Sequence, residues 1–315
     1  MFGDYAWQHA NRDWLKARLP GLNHTLMGFA TQENGDGLLG KTPGWNFVDW
    51  VPEWNLPGEE GGIPPDGNSE RPNAEINLQY LHAMRSAVIA EEAVGERELA
   101  DYWRTKERRL AVAIKKVFWN QDRALFASEV THRKFSEHAQ CLALLCDVVT
   151  GVEADRCFGA LVESPDLSRG TIYYKHYLFS TFFKFGRADL FFRNLDFWRN
   201  CRKWGLSTIL ENPWIDSRSD CHGWGSHPLW HLHTGVAGVR SAAPWYEKVL
   251  VAPQPAHLKF IRSSTPTPKG MVELDLRFDG GKASGTVTLP SGLDGTFEWK
   301  GTRLPIASGR NVIGL

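Results

Sequence analysis

The sequence predicts a mainly α chain, a helical-hairpin barrel or toroid over residues 1–244 followed by a small antiparallel β-sandwich over 245–315. Apolar residues recur at spacings of three and four from about residue 10 to 240, the amphipathic helix period. Past about residue 245 the period drops to two, the signature of half-buried strands. Connections between most neighbouring helices are short, which implies antiparallel pairs, and a row of such pairs suits a toroid better than a four-helix bundle.

Taken in order, Arg12 to Thr31 carries the stripe Trp14, Leu15, Leu19, Leu22, Leu26 and Phe29, with Pro20 predicting a kink or a late start. Asn73 to Val94 continues with Ile76, Leu78, Tyr80, Leu81, Met84 and Val88, and Gly95 is its expected stop. Glu96 to Phe118 follows with Leu99, Tyr102, Trp103, Leu110, Ile114 and Val117. Ser136 opens the next helix in a Ser-x-x-His-x-Gln start. Shorter helices are expected at about 153–163, 173–185 and 188–202, and a last one at about 224–238 after a Trp-rich loop. Tyr173, Tyr174, Tyr177, Phe179, Phe182 and Phe183 read as core. In the tail, Val272 to Phe278 alternates, Asp279-Gly280-Gly281 turns the chain, and Thr286 to Pro290 and Thr296 to Trp299 are further strands.

Charge and composition exclude several functions. Among 315 residues, 36 Lys+Arg balance 36 Asp+Glu, a net charge of 36 − 36 = 0. That removes the electrostatic case for nucleic acid or an anionic membrane surface, since both call for clustered basic charge. No run is long and apolar enough to suggest a membrane span. The start, Met1-Phe2-Gly3-Asp4-Tyr5, has neither the basic end nor the apolar run of a signal peptide, so a cytoplasmic location is expected. The five cysteines are odd in number and lack CxxC spacing, which fits a reducing compartment. Fourteen tryptophans are a heavy load, and indoles suit either a large core or stacking on the CH face of a sugar.

Two loops concentrate aromatic and titratable groups. The first lies within the Pro- and Gly-rich connection 32–72, where Gly44-Trp45-Asn46-Phe47-Val48-Asp49-Trp50 is followed by Glu53, Trp54, Glu59 and Glu60. The second runs from Thr208-Ile209-Leu210-Glu211 through Trp214, Asp216 and Arg218 to Cys221-His222-Gly223-Trp224. Carboxylates set among indoles are what glycoside hydrolysis requires: an acid for the leaving oxygen, a second carboxylate for water, and apolar walls that tune the acid. The plainer reading is that Asp49 and Glu211 cap helices or pair with arginines such as Arg218. His227, His231 and His233 cluster, with i, i+4 spacing between the first two, but no acid or cysteine other than Cys221 completes a ligand set. No metal and no cofactor are expected. No Gly-x-Ser-x-Gly elbow surrounds Ser207, Ser217 or Ser219, and the glycine-rich pieces at 35–37 and 58–62 follow no strand, so neither a serine triad nor a phosphate cradle is indicated.

The segments Gly44 to Trp50, Ser207 to Glu211, Ser219 to Trp224 and Gly235-Val236-Ala237-Gly238-Val239 resemble bacterial α-L-rhamnosidases of glycoside hydrolase family 78. The resemblance covers nearly the whole chain, as the later part of the family's (α/α)6 six-hairpin toroid plus its C-terminal β-sandwich. It implies removal of terminal α-L-rhamnose by inversion, with Glu211 as general base. It also implies that His222 and Trp50 bind the sugar, with Asp49 bonding its hydroxyls and Trp224, Trp45 and Trp214 as further substrate-binding residues. The family's general acid lies in an Asp/Arg/Glu-rich stretch near a Trp-x-Gly-Asp signature, and nothing like it precedes Phe2. The toroid is therefore expected to be incomplete, with Asp49, Glu53, Glu59, Glu60 and Asp216 as substitute acids. Two other readings follow from that departure: a carbohydrate-binding module that does not cut, or one half of a split barrel covered by a partner chain or a second copy.

Overall fold

The computed structural model describes residues 1–55, 58 and 60–315. Among them are helices α1 (Phe2–Gln8), α2 (Arg12–Lys16), α3 (Leu19–Ala30), α4 (Ala74–Val94), α5 (Arg97–Phe118), α6 (Glu137–Leu145), α7 (Gly151–Glu163), α8 (Lys175–Lys184), α9 (Ala188–Arg193), α10 (Asp196–Lys203) and α11 (Pro228–His231). The chain packs as two compact units, one of residues 18–181 and 206–225, the other of 1–17, 182–205 and 226–315. No helix of the described residues is long and apolar enough to cross a membrane.

The first unit is built on the hairpin of α4 and α5. Asn73 caps α4 by accepting from the Ile76 N–H at 3.0 Å, and Gly95 ends it with a left-handed φ of 88°. The stripes Leu78, Leu81 and Met84 on α4 and Trp103, Leu110, Ile114 and Phe118 on α5 are buried. Asn23 ties α3 to both, donating to Glu91 at 2.6 Å and accepting from the Trp103 indole at 2.6 Å. The expected kink near Pro20 is a break, since α3 starts at Leu19 with the proline in its first turn, where its missing N–H costs nothing. Ser136 caps α6 through the Ala139 N–H, as its motif predicts. Gln140 of α6 then clamps the Phe126 backbone from both sides, at 2.7 and 2.8 Å.

The described residues of the connection 32–72 carry one 3-10 turn, Pro52–Trp54, and are otherwise held by burial and hydrogen bonds. Leu38, Leu39, Val48, Val51, Trp54 and Ile63 are buried, and Asn77 of α4 holds Leu39 through both its N–H and its carbonyl. Those backbone bonds replace the ladder that a helix or strand would supply.

Glu75 lies in the buried centre of this unit. Its carboxyl accepts from Ser128 Oγ at 2.5 Å, Ser136 Oγ at 2.7 Å and Asn73 Nδ2 at 2.9 Å. Burial pushes its pKa up, against the pull of the two serine bonds. A carboxyl raised on folding is stabilising as the neutral acid: its contribution is complete below the unfolded value and is lost as the pH climbs through the folded one. Glu75→Gln fixes the neutral form. It is expected to melt above the wild type at about pH 8, with the gap closing toward about pH 4. Thermal unfolding across that range checks it, and a gap that widens on acidification would count against a neutral Glu75.

The second unit holds two four-stranded sheets. One has the order β10-β7-β6-β5 and is antiparallel throughout, built from β5 (Phe260–Thr267), β6 (Gly270–Asp279), β7 (Lys282–Leu289) and β10 (Gly309–Gly314). The other has the order β3-β4-β8-β9, from β3 (Val239–Ser241), β4 (Lys248–Val251), β8 (Asp294–Trp299) and β9 (Thr302–Ile306). A small hairpin in the first unit, β1 (Trp119–Asn120) with β2 (Leu125–Phe126), completes the strands. Val272, Leu274, Leu276 and Phe278 of β6 are buried in strict alternation. Gly280 and Gly281 both take positive φ, 53° and 81°, in a two-residue turn between Asp279 and Lys282, the geometry that the Asp-Gly-Gly signal demands.

Three expectations are corrected. The sandwich is not wholly antiparallel, because β4 pairs parallel with β8, which the intervening sheet separates in sequence. The helix expected at 188–202 is two, α9 and α10: Asn194 takes the Leu190 carbonyl with its side chain at 2.9 Å and ends the first. The helix expected at 224–238 is a 3-10 turn (Gly223–Ser226), the single turn α11, and a π turn (Leu232–Val236) closed by Ala237 N–H to the Leu232 carbonyl at 2.8 Å. His233 leaves the histidine cluster and meets Thr265 at 2.8 Å.

Candidate active site

Both Trp-rich loops belong to the first unit, and they meet through aromatic rings. Phe47 and Trp224 lie nearly parallel, at 3° with centroids 6.5 Å apart. A pyranose flanked on both faces needs about 7–8 Å between ring planes, so no sugar fits between these two. They form one wall. Trp50 packs edge-on against Phe47 at 4.8 Å, Trp45 lies 5.0 Å from Phe47 and 5.8 Å from Trp50, and Tyr173 approaches Trp224 at 5.2 Å. His222 leans on Trp224 at 4.4 Å. Trp45 is 49% exposed and is fixed by its indole N–H to the Gly61 carbonyl at 2.9 Å. Gly62, at φ 78°, gives the Phe47 ring its place, since a Cβ there would sit 2.4 Å from two ring carbons. The Trp50 indole N–H is buried without a hydrogen-bond partner, a donor left over in the wall.

Glu211 is held at the foot of the second loop by backbone register. Its N–H bonds the Ser219 carbonyl at 2.9 Å and the His222 N–H bonds the Ile209 carbonyl at 2.8 Å, so residues 209–211 and 219–222 face each other like the stem of a hairpin. The Trp224 indole donates to the Glu211 carbonyl at 3.2 Å. Across the stem Arg218 makes a two-pronged ion pair with the Glu211 carboxylate, Nη2 to Oε1 at 2.5 Å and Nε to Oε2 at 3.1 Å. Glu211 is 1% exposed and the Arg218 side chain 75%. The carboxylate pushes the guanidinium pKa further up, so Arg218 stays charged. The arginine pairing foreseen as the plainer reading is therefore present at Glu211.

Asp49 has a different place from the one expected. Its carboxylate is 0% exposed and accepts four hydrogen bonds. These come from Trp50 N–H at 2.9 Å, Thr171 N–H at 2.7 Å, the Thr171 hydroxyl, and His138 Nε2 at 2.8 Å. Every lone pair is occupied, which leaves none for a sugar hydroxyl. Asp49 instead fastens the first loop to α6 and to the start of the segment before α8. Around it Trp54 packs on His138 at 4.6 Å and His138 on Tyr174 at 4.1 Å. The Tyr174 phenol is buried, which pushes its pKa well up and keeps it protonated.

Of the other residues singled out, Trp214 is 40% exposed and has no ring partner among the described residues. Glu53, Glu60 and Asp216 are exposed in the two loops, and Glu59 lies outside the described residues. Tyr173 and Phe47 were not picked out, yet both belong to the wall. Tyr173 begins the aromatic stripe read as core, and its half-buried state beside the fully buried Tyr174 shows the stripe rotating out toward Trp224.

Residues 4–239 match the model of the bacterial alpha-L-rhamnosidase 6 hairpin glycosidase domain. The chain belongs to that family. Residues 238–298 match the bacterial alpha-L-rhamnosidase C-terminal domain. Among solved structures, a family 78 rhamnosidase of Bacillus sp. GL1 is similar at 22% identity and TM-score 0.81, over 94% of this chain and 32% of that one. An alpha-L-rhamnosidase from Dictyoglumus thermophilum matches at 17% identity and TM-score 0.77, over 97% of this chain and 37% of that one. A Streptomyces avermitilis alpha-L-rhamnosidase complexed with L-rhamnose matches at 17% identity and TM-score 0.77, over 99% and 32%. At these identities the likeness is one of fold: a six-hairpin helical domain followed by a small strand domain. The chain spans about a third of the length of these structures. No curated protein matches the chain.

Proposed function

We propose that this chain carries the sugar pocket and the general base of an inverting glycoside hydrolase that removes terminal α-L-rhamnose. The observation that supports it is a buried carboxylate, Glu211, bonded through its backbone to Trp224 in a wall of five aromatic rings. The wall offers CH-stacking faces and, at Trp50, an unused N–H donor for a hydroxyl. Glu211 takes a proton from water, whose oxygen attacks the anomeric carbon on the face opposite the leaving oxygen. The leaving oxygen must be protonated by a second carboxyl about 6.5–9.5 Å from the first. Asp49 is spent on its four bonds, so Glu53, Glu60 and Asp216 remain as the described residues among the candidate acids.

The test is hydrolysis of an aryl α-L-rhamnoside by the purified chain, with the first-formed anomer read by proton NMR. Inversion releases the β-anomer before mutarotation; an α-anomer formed first, or no hydrolysis at all, would refute the assignment. Asp49, closed to the leaving oxygen by its four bonds, favours a second reading, in which the chain binds rhamnose without cutting it. Calorimetry separates the two, since heat of binding to L-rhamnose without turnover selects the binding module.

A further inference from the structure

Resting on the reading of Glu211 as base, we propose that Arg218 is its positioning residue. The guanidinium reaches across the loop stem and fixes both carboxylate oxygens, at 2.5 and 3.1 Å. It is the only side chain that bonds this carboxylate among the described residues. A free glutamate rotates about its terminal bond through a broad range, whereas a forked pair allows one plane. Each oxygen keeps a second lone pair, and that is where the proton from water goes. Arg218 stays charged throughout, so it neither receives that proton nor competes for it. Its side chain is 75% exposed.

The loop is constructed to deliver it. Ser217 Oγ accepts from the Asn212 N–H at 3.0 Å, and Ser217 Oγ also reaches the Ser219 carbonyl at 3.3 Å, closing the tip. Thr208 Oγ1 donates to the Asp220 carbonyl at 2.5 Å at the base of the stem. With both ends pinned, the register sets residue 218 next to the partner of residue 211. A lysine there would supply charge as a single point but not the plane.

The experiment is steady-state hydrolysis of an aryl α-L-rhamnoside by wild type, Arg218→Gln, Arg218→Lys and Glu211→Gln. Positioning predicts that Arg218→Gln lowers kcat by about 100-fold with KM held within about threefold, because misplacement of the base costs rate and not sugar contacts. Arg218→Lys should recover part of the loss, and added guanidinium ion should partly rescue a smaller variant, Arg218→Ala. A rise in kcat or a tightened KM in Arg218→Gln would overturn the proposal and make the pair an obstructing contact. Unchanged kcat would overturn it also. A wild type that loses activity on Glu211→Gln but not on Arg218→Gln removes the positioning role alone, whereas an inactive wild type removes the hydrolase reading and the positioning role together.

Discussion

Glu211→Gln is expected to lower turnover of an aryl α-L-rhamnoside by about 10³-fold, the scale at which a positioned base contributes. The amide is close in shape but cannot take a proton from water at neutral pH. It also turns an N–H₂ toward a guanidinium that has only donors, so one prong of the bridge is lost and the side chain swings free. Loss of both base and plane makes this the largest effect on rate among single changes at the wall. Stability should change little, because Arg218 is already in water and turns outward when its partner goes. KM should stay within a few-fold, since the stacking faces of Trp45, Phe47, Trp50 and Trp224 are untouched. Single-turnover kinetics with melting curves on the same preparations give both readouts. A variant that keeps a tenth of wild-type turnover would take Glu211 out of the chemistry.

What the sequence made legible was local. Ser136, Asn73 and Gly95 announce helix ends because a cap is a bond between neighbours three residues apart, and each cap is in place. Gly280-Gly281 announces a turn because few residues tolerate two positive φ values in succession. The breaks at Asn194 and in 224–238 were not legible, because apolar periodicity runs through them and only side-chain capture or a wider turn interrupts the backbone. At the site, Glu211 and the rings of the two loops stand out by composition. Arg218 is legible as a possible partner of Glu211, but its two-pronged grip follows only from the stem register, since a spacing of seven residues fixes no geometry in an irregular loop. The role of Asp49 was misread for a related reason. A carboxylate between Trp50 and Val48 looks presented to a cleft, yet its partners His138 and Thr171 are 89 and 122 residues away. Nothing in the first loop points to them.

That long reach makes Asp49→Ala the change with the largest expected effect on stability, about 3–5 kcal/mol, the range for breaking a buried ion or hydrogen-bond set by removing one partner. It strands four donors at once: the Trp50 and Thr171 N–H groups, the Thr171 hydroxyl and His138 Nε2, in a place water does not reach. Asp49→Asn keeps the volume but should not rescue it, because the carboxylate is used purely as an acceptor and an amide can accept at one oxygen only. The same bonds fix the backbone of Trp50, so the loss should reach the wall before the rest of the unit melts. Denaturant unfolding followed by circular dichroism gives the stability change, and Trp fluorescence quenching by iodide at low denaturant reports early release of the 45–54 segment. If Asp49→Asn unfolds at the wild-type midpoint, the four-acceptor arrangement does not hold, and Asp49 is again available to a ligand.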